Sequence, residues 1–587
     1  MNHAIDRPSL SLDGKWRIIV DPYDNGYLDY RYQPFDAVPS PKGGFFLDRR
    51  NVAKDQLVEY NFDTSSQLSV PRDWNSQEST LLYYEGAVWY RRLFQAEKVS
   101  GKRTFLHFSA ANYAADVYLN GQKLGRHVGG FTPFDFEVTN LLRSPENSLV
   151  VRVDNRRQRE GVPTLNTDWW NYGGITRDVT LVSVPETFIA DAVVQLDRAD
   201  PRQLTGFVQL NGAQAQQQVS VTVPELNVAI TVDTDEKGRG VFVLPVDPGL
   251  QRWSPDSPRL YQVVFTAKAD RLDDRVGFRT IEVKGGEILL NGAPIFLRGT
   301  CVHEENPLKG GRASTIEDAR LLLTWAKELN CNFLRLAHYP HSENMARLAD
   351  QMGLLLWEEI PVYWTIQWEN PATLANARQQ LSEVIQRDRN RASVIIWSVA
   401  NETPVSTERT QFLRTLVSDA RTLDGTRLVS AAMEVRASPD DQDIRVVDDP
   451  FGEFTDIISF NEYIGWYSGT HERIGRIVWQ IKFDKPVVIS EFGAEALQGF
   501  HADELTRFSE EYQARLYQET LAMLRNKIPQ FRGVTPWILC DFRSPRRNLP
   551  QFQDNWNRKG LIGENGIKKS AFWVLKSFYD EMAKTGR

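Results

Sequence analysis

Cysteine is scarce in this chain: Cys301, Cys331 and Cys540 are the only three in 587 residues. An odd and scattered set builds no disulfide framework, and none of the three has zinc-ligand spacing, so buried free thiols are expected. Long apolar runs are missing too. No stretch approaches the ~20 residues that cross a bilayer as a helix, so no membrane partner is expected. Lysine and arginine form no run, and the formal net charge is −7, which removes the electrostatic footprint of a nucleic-acid binder. A small anionic substrate stays open, because the local field and not the total charge binds it. The opening Met1-Asn2-His3-Ala4-Ile5-Asp6 has neither the charged nor the apolar region of a signal peptide. Localisation is therefore unknown: cytoplasmic, or periplasmic if a leader has been removed.

What is present is ordinary for a soluble globular protein, 41% hydrophobic and 25% charged, with length for about three to four domains. From Ser9 to about Val184 the pattern is β-rich. The segment Ala115–Gln122 alternates and then meets Asn120-Gly121, a strong hairpin signal. Ser148–Asp154 and Arg177–Val182 read as further strands. A second β segment runs from Pro185 to about Val283, with its best strands at Val241–Leu244, Tyr261–Phe265 and Arg279–Val283. A hundred residues of short strands fit an immunoglobulin-like sandwich.

From about Lys284 the texture changes to alternating strand and helix, the mark of a parallel sheet. Ser314 with Glu317 reads as a capping box, opening a helix whose Leu322, Trp325, Ala326 and Leu329 recur at helical spacing. Eight strand candidates close a barrel: Ile295–Gly299, Phe333–Leu336, Leu354–Trp357, Ser393–Ala400, Arg427–Ser430, Asp456–Phe460, Pro486–Ser490 and Val534–Trp537. The fourth is a β-branched apolar run ending in Asn401-Glu402, then Thr403-Pro404, which cannot extend it. The seventh ends in Ser490-Glu491-Phe492-Gly493. Carboxylates on the C-terminal tips of two buried parallel strands sit where a (β/α)8 barrel holds its chemistry, and a pair of them suggests a glycosidase.

These two motifs, Asn401-Glu402 and Ser490-Glu491-Phe492-Gly493, closely resemble the acid/base and nucleophile motifs of glycoside hydrolase family 2, and the resemblance covers essentially the whole chain. It implies a multidomain fold: a jelly-roll β-sandwich over 1–184, an immunoglobulin-like β-sandwich over 185–283 and a C-terminal (β/α)8 TIM barrel over 284–587. It implies a retaining hydrolase with Glu402 as general acid/base and Glu491 as nucleophile. Their environments are expected to separate the two pKa values, keeping Glu402 protonated and Glu491 ionised. By the same resemblance Asn401 hydrogen-bonds the sugar 2-hydroxyl, His338 and Asn461 contact sugar, and Tyr463 bonds the nucleophile with Tyr467 close by. Trp537 floors the ring, although a plain core role stays open for it. Asp168, in the Trp-rich stretch Thr167–Ile175, matches an acidic residue that contacts sugar hydroxyls; a turn that merely packs domains together is the other reading. His303-Glu304-Glu305 lacks zinc-protease spacing, and neither metal nor cofactor is expected. The family commonly forms homo-oligomers, dimers or tetramers.

The stretch Asn555–Gly560 decides the sugar. Asn557 and Lys559 match the Asn-x-Lys-Gly motif that holds the C6 carboxylate in the β-glucuronidase branch, which implies a β-glucuronide substrate. A neutral hexose would leave the Lys559 ammonium unpaired and be rejected by several kcal/mol, about 10^4-fold. The preceding Arg543–Asp554 is longer than in that branch and leaves open which arginine assists the carboxylate. After the third strand the connection Glu358–Trp368 is short, leaving an open cleft in which Tyr363, Trp364 and Trp368 stack leaving-group rings. The alternatives carried with this reading are a β-galactosidase or β-galacturonidase of the family, since the two uronides differ only at C4, and a non-catalytic carbohydrate-binding protein.

Overall fold

The computed structural model describes residues 2–246 and 249–585. The chain begins with a sandwich of two antiparallel sheets. One has four strands in the spatial order Ser9–Ser11, Val179–Pro185, Lys102–Phe108, Phe134–Glu137. The other has six, Gln67–Val70, Gly14–Asp21, Ala87–Phe94, Asn147–Asp154, Ala114–Leu119, Gln122–Val128. Alternate residues of both sheets, among them Leu106, Phe108 and Leu181 from the first and Val88, Val117 and Val151 from the second, meet in one core. The expected hairpin is there: Asn120 and Gly121 both have positive φ, 53° and 81°, as a two-residue turn of the type matching strand twist requires.

A second sandwich pairs Phe188–Leu196, Gln203–Asn211 and Arg239–Pro245 in one sheet with Val228–Asp233, Gln218–Val223, Tyr261–Thr266 and Arg271–Val276 in the other, around a Val/Leu/Phe core. The expected last strand of this sandwich lies elsewhere. Ile281–Lys284 pairs with Glu287–Leu290, which pairs with Ala293–Pro294, and Ile281, Ile288 and Leu290 pack on Leu297, Phe333, Leu355 and Val488. Burial explains the move: this small sheet plugs the N-terminal end of the barrel, where an apolar face is needed.

The barrel is closed by eight parallel strands, β1 Leu297–Val302, β2 Phe333–Leu336, β3 Leu355–Glu359, β4 Val394–Asn401, β5 Leu428–Met433, β6 Ile458–Asn461, β7 Val487–Glu491 and β8 Phe531–Val534. Seven overlap the expected positions closely. The eighth does not: β8 ends at Val534, where the expected strand begins, because Val487 and Ile489 of β7 take Phe531 and Val534 as partners. Residues 535–537 continue as irregular backbone into the barrel mouth. The first helix, α1 Ile316–Glu328, is capped one residue later than expected, by Thr315 and Asp318 in a reciprocal box. Asp318 wins the role because its carboxylate also accepts from Asn306 and Lys309. The three cysteines are buried and free. No helix among the described residues is long and apolar enough to cross a membrane.

The first sandwich also contributes to the mouth. Phe131 and Trp169 from it cluster with Cys301, Ala337, Tyr339, Tyr363, Trp537 and Phe542 of the barrel. Trp170 N–H donates to the Arg543 carbonyl at 3.1 Å, and Arg177 donates to Glu304 Oε2 at 2.8 Å. These contacts fix the 167–175 loop over the strand tips.

Candidate active site

A parallel barrel directs one end of every strand to the same rim, so residues remote in sequence converge there. Glu359, Asn461 and Glu491 are the last residues of β3, β6 and β7; Glu402 and His338 follow β4 and β2 by one and two residues. The cavity they surround is about 300 Å³ and is lined by Asp168, His338, Tyr363, Trp364, Glu402, Tyr463, Tyr467, Glu491, Trp537, Arg546, Arg547 and Lys559.

Glu491 is the deeper of the two glutamates. Oε1 accepts from Arg335 Nη1 at 2.7 Å and Oε2 from the Tyr463 hydroxyl at 2.6 Å. Glu402 is half-buried; Oε1 accepts from Asn461 Nδ2 and Oε2 from Trp364 Nε1, each at 2.9 Å. Glu402 and Trp364 both have left-handed backbone, φ 47° and 55°. Bulky residues adopt that region at a cost of about 1–2 kcal/mol each. The strain is held in place by Glu402 N–H bonding Ala432 and Trp364 N–H bonding Asn401.

In the free site Glu491 shifts in the direction opposite to the one expected of the ionised partner. Burial pushes the Glu491 carboxyl above the usual glutamate range, helped by the neighbouring Glu402 charge, against the lowering effects of Arg335, His338 and Tyr463. Depth is the reason: Glu491 is 4% exposed at the end of a buried strand.

Arg335, in the middle of β2, ties the site together. Besides Glu491 it bonds Glu359 through Nε at 3.2 Å and Nη2 at 2.9 Å, and Asn401 Oδ1 through Nη2 at 2.7 Å. Although burial acts to raise it, Arg335 and His338 hold Glu359 down to about 2. His338 Nδ1 lies 2.8 Å from Glu359 Oε1 and its ring stacks on Trp537, centroids 4.7 Å apart. Asn461 Nδ2 also reaches Asn401 Oδ1 at 3.2 Å, and its Oδ1 accepts from Ser490 Oγ at 2.7 Å. Asn401 Nδ2 in this network is buried and has no partner among the described residues.

On the other flank, Lys559 Nζ donates to the Tyr467 hydroxyl oxygen at 2.8 Å and to Glu495 Oε1 at 3.2 Å. Glu495 therefore neutralises the Lys559 ammonium before any sugar arrives, and a neutral hexose would not leave that charge unpaired. Asn557 is fully buried; its Nδ2 donates to Asp168 Oδ2 at 3.3 Å and its Oδ1 accepts from Lys559 N–H. Asp168 also accepts from Ser544 Oγ at 2.5 Å and is ion-paired with Arg547. Burial lowers Arg547, yet Asp168 and Glu495 hold it above the usual arginine value.

Not everything converges. Trp368, expected in the cleft, packs edge-on against Phe412 and the barrel core, because it faces the helix Thr407–Leu423. His303, Glu304 and Glu305 go to separate partners, Tyr339, Arg177 and Tyr172. Arg335, Glu359 and Glu495 were missed as site residues. A charge inside the apolar run Phe333–Leu336, and another ending Leu355–Glu359, were available signals, since unpaired charges do not occupy buried strands. Glu495 carries no such mark.

A (β/α)8 barrel whose strand tips carry two glutamates around an aromatic-floored pocket belongs to the class of carbohydrate-cleaving enzymes, and comparison with known proteins agrees. The chain belongs to glycosyl hydrolases family 2: the family's TIM barrel domain matches residues 281–584, its sugar binding domain 11–185 and its remaining domain 187–279. A β-glucuronidase of Paenibacillus borealis is 28% identical over 643 aligned residues, covering 99% of this chain and 98% of its own. The structure of the Bifidobacterium dentium β-glucuronidase complexed with coumarin-3-O-glucuronide superposes with a TM-score of 0.82 at 26% identity, over 98% of this chain and 97% of that one. A β-galacturonidase from Eisenbergiella tayi, 24% identical, shares the fold with a TM-score of 0.81, over 99% of this chain and 97% of its own.

Proposed function

We propose that this glycoside hydrolase is a retaining exo-β-D-glucuronidase that removes terminal β-linked glucuronic acid by double displacement. The observation that carries the reading is one pocket holding two glutamates, of which only Glu491 is bonded to a charged donor, and a lysine on the nucleophile's flank. Glu491 is held by a guanidinium and a phenol, both donors that favour its anion at the moment of attack. Glu402, held by an indole and an amide, delivers a proton to the glycosidic oxygen as Glu491 attacks the anomeric carbon and the leaving group departs. Glu402 then takes a proton from water, which displaces Glu491 and returns both carboxyls to their starting states. The free Asn401 Nδ2 suits a donor to the 2-hydroxyl, and His338 on Trp537 suits a floor for the ring.

Lys559 supports a C6 carboxylate on the Tyr463 and Tyr467 side, its Nζ lying 5.8 Å and 4.8 Å from those ring centroids. Arg547 is the arginine we assign to assist it, and Asn557 serves by positioning Asp168 and Lys559. The same reading divides the chain at 184 and 283, with Ile281–Lys284 straddling the second boundary, and includes the homo-oligomer, dimer or tetramer, that sedimentation at several protein concentrations reads.

Initial rates on 4-nitrophenyl β-glucuronide, β-galacturonide and β-galactoside, for wild type, Lys559→Ala and Glu491→Ala, test it. Dominance of the glucuronide that Lys559→Ala abolishes is expected. Equal cleavage of the galactoside, unchanged by Lys559→Ala, sinks the glucuronide reading, and activity surviving in Glu491→Ala sinks the mechanism.

A further inference from the structure

Three cations line the pocket, and two of them are already neutralised: Lys559 by Glu495 and Arg547 by Asp168. Arg546 is different. Its side chain is exposed and makes no ion pair among the described residues; its guanidinium lies over the Trp364 ring, 4.9 Å from the centroid. Trp364 in turn donates its indole N–H to Glu402 Oε2. A group that touches the proton donor stands beside the oxygen that receives the proton, so Trp364 and the arginine stacked on it flank the leaving group. Lys559 stands apart from them, against Tyr463, which holds Glu491.

We propose that Arg546 and Trp364 form a leaving-group subsite for an anion, so that the preferred substrates carry a carboxylate or sulfate on the residue attached to the released sugar. The proposal rests on the assignment of Glu402 as the acid and on the glucuronidase reading for the released sugar. Three physical points support it. An arginine stacked on an indole keeps its donor edge free while losing much of its conformational freedom in advance. Trp364 is itself pinned, with left-handed backbone and its N–H bonded to the Asn401 carbonyl at 3.0 Å, so the platform does not swing away from the acid. Tyr363, buried and tilted against Trp364 with ring centroids 4.5 Å apart, packs on the platform. Carboxylate and sulfate both suit the guanidinium fork, and the measurement separates them.

The measurement uses three disaccharides with one glycone and one linkage, whose second sugar is a neutral hexose, its uronate or its 6-sulfate. kcat/KM is determined on wild type, Arg546→Gln and Arg546→Lys. Wild type is expected to favour an acidic second sugar over the neutral one by about tenfold, the size of a partly exposed charge-assisted contact. Arg546→Gln is expected to remove that ratio and Arg546→Lys to keep part of it. Because Arg546 is exposed, the wild-type ratio is expected to shrink between about 0.05 M and about 0.5 M salt. Which acidic sugar gains more identifies the anion. The idea is overturned if wild type shows no preference, or if Arg546→Gln lowers all three substrates equally, which would make Arg546 a partner of the glycone. Repeating the set with a galacturonide or galactoside glycone keeps the two readings apart. A preference for acidic leaving groups on another glycone that is cleaved at least as fast as the glucuronide upholds the subsite and sinks the glucuronidase assignment.

Discussion

Lys559 Nζ lies 3.2 Å from Glu495 Oε1, and both residues are 1% exposed. A sugar carboxylate therefore joins an existing ion pair instead of meeting a lone ammonium. Buried pairs of this kind hold a geometry well but are costly to break from one side, because the survivor is an unpaired charge.

Lys559→Ala is expected to cost twice. Activity on 4-nitrophenyl β-glucuronide falls by about 10^2-fold or more, the scale of a lost charged contact, and stability falls by about 3–5 kcal/mol because Glu495 is orphaned. Adding Glu495→Gln to that variant restores the stability but not the glucuronidase activity. Recovery of both in the double variant would show that Lys559 acts only on the fold.

The two glutamates separate by leaving group. Glu402→Gln is expected to retain a rapid first release of 4-nitrophenolate, which departs without a proton, and to lose about 10^2–10^4-fold on methyl β-glucuronide. Glu491→Gln is expected to lose both. A burst of 4-nitrophenolate from the Glu491 variant contradicts the assignment.

Arg335 bonds Glu359, Glu491 and Asn401 from full burial, and no ammonium spans three such acceptors. Arg335→Lys is expected to lower the barrel's stability by about 3 kcal/mol and kcat by at least about tenfold, with a smaller change in KM. Denaturant unfolding alongside steady-state kinetics checks this, and a variant indistinguishable from wild type refutes the tie.

Glu305 supplies a pH dependence. Burial pushes its carboxyl up to about 7, against the opposing pull of the Arg543 N–H, the Arg312 charge and the Tyr172 hydroxyl. One oxygen accepts both bonds while Oε1 is buried without a partner among the described residues, the position a retained proton suits. With the folded value above the unfolded 4.5, the associated stability is complete below about 4.5 and lost as pH rises through about 7. It amounts to about 3 kcal/mol. Glu305→Gln is expected to flatten the fall in unfolding midpoint over that window; a variant with the wild-type slope places the titration elsewhere.

Local pattern alone determined a good deal here. Buried parallel strands read as apolar runs, so seven of the eight barrel strands, the tips bearing Glu402 and Glu491, and the Asn120-Gly121 hairpin were legible from period and turn chemistry. Register and partner choice were not local. The position of β8 depended on its pairing with β7, and the cap of α1 on which acid found extra donors at Asn306 and Lys309. The same holds for the site: Glu495 faces Lys559, Asp168 reaches Arg547 across two domains, and Arg335 joins three strand tips. Charges so far apart in sequence meet only when the barrel closes and the first sandwich docks on its mouth. Tertiary structure therefore decided which cations are already paired and left Arg546 open, because electrostatic pairing depends on distance in space and not on distance along the chain.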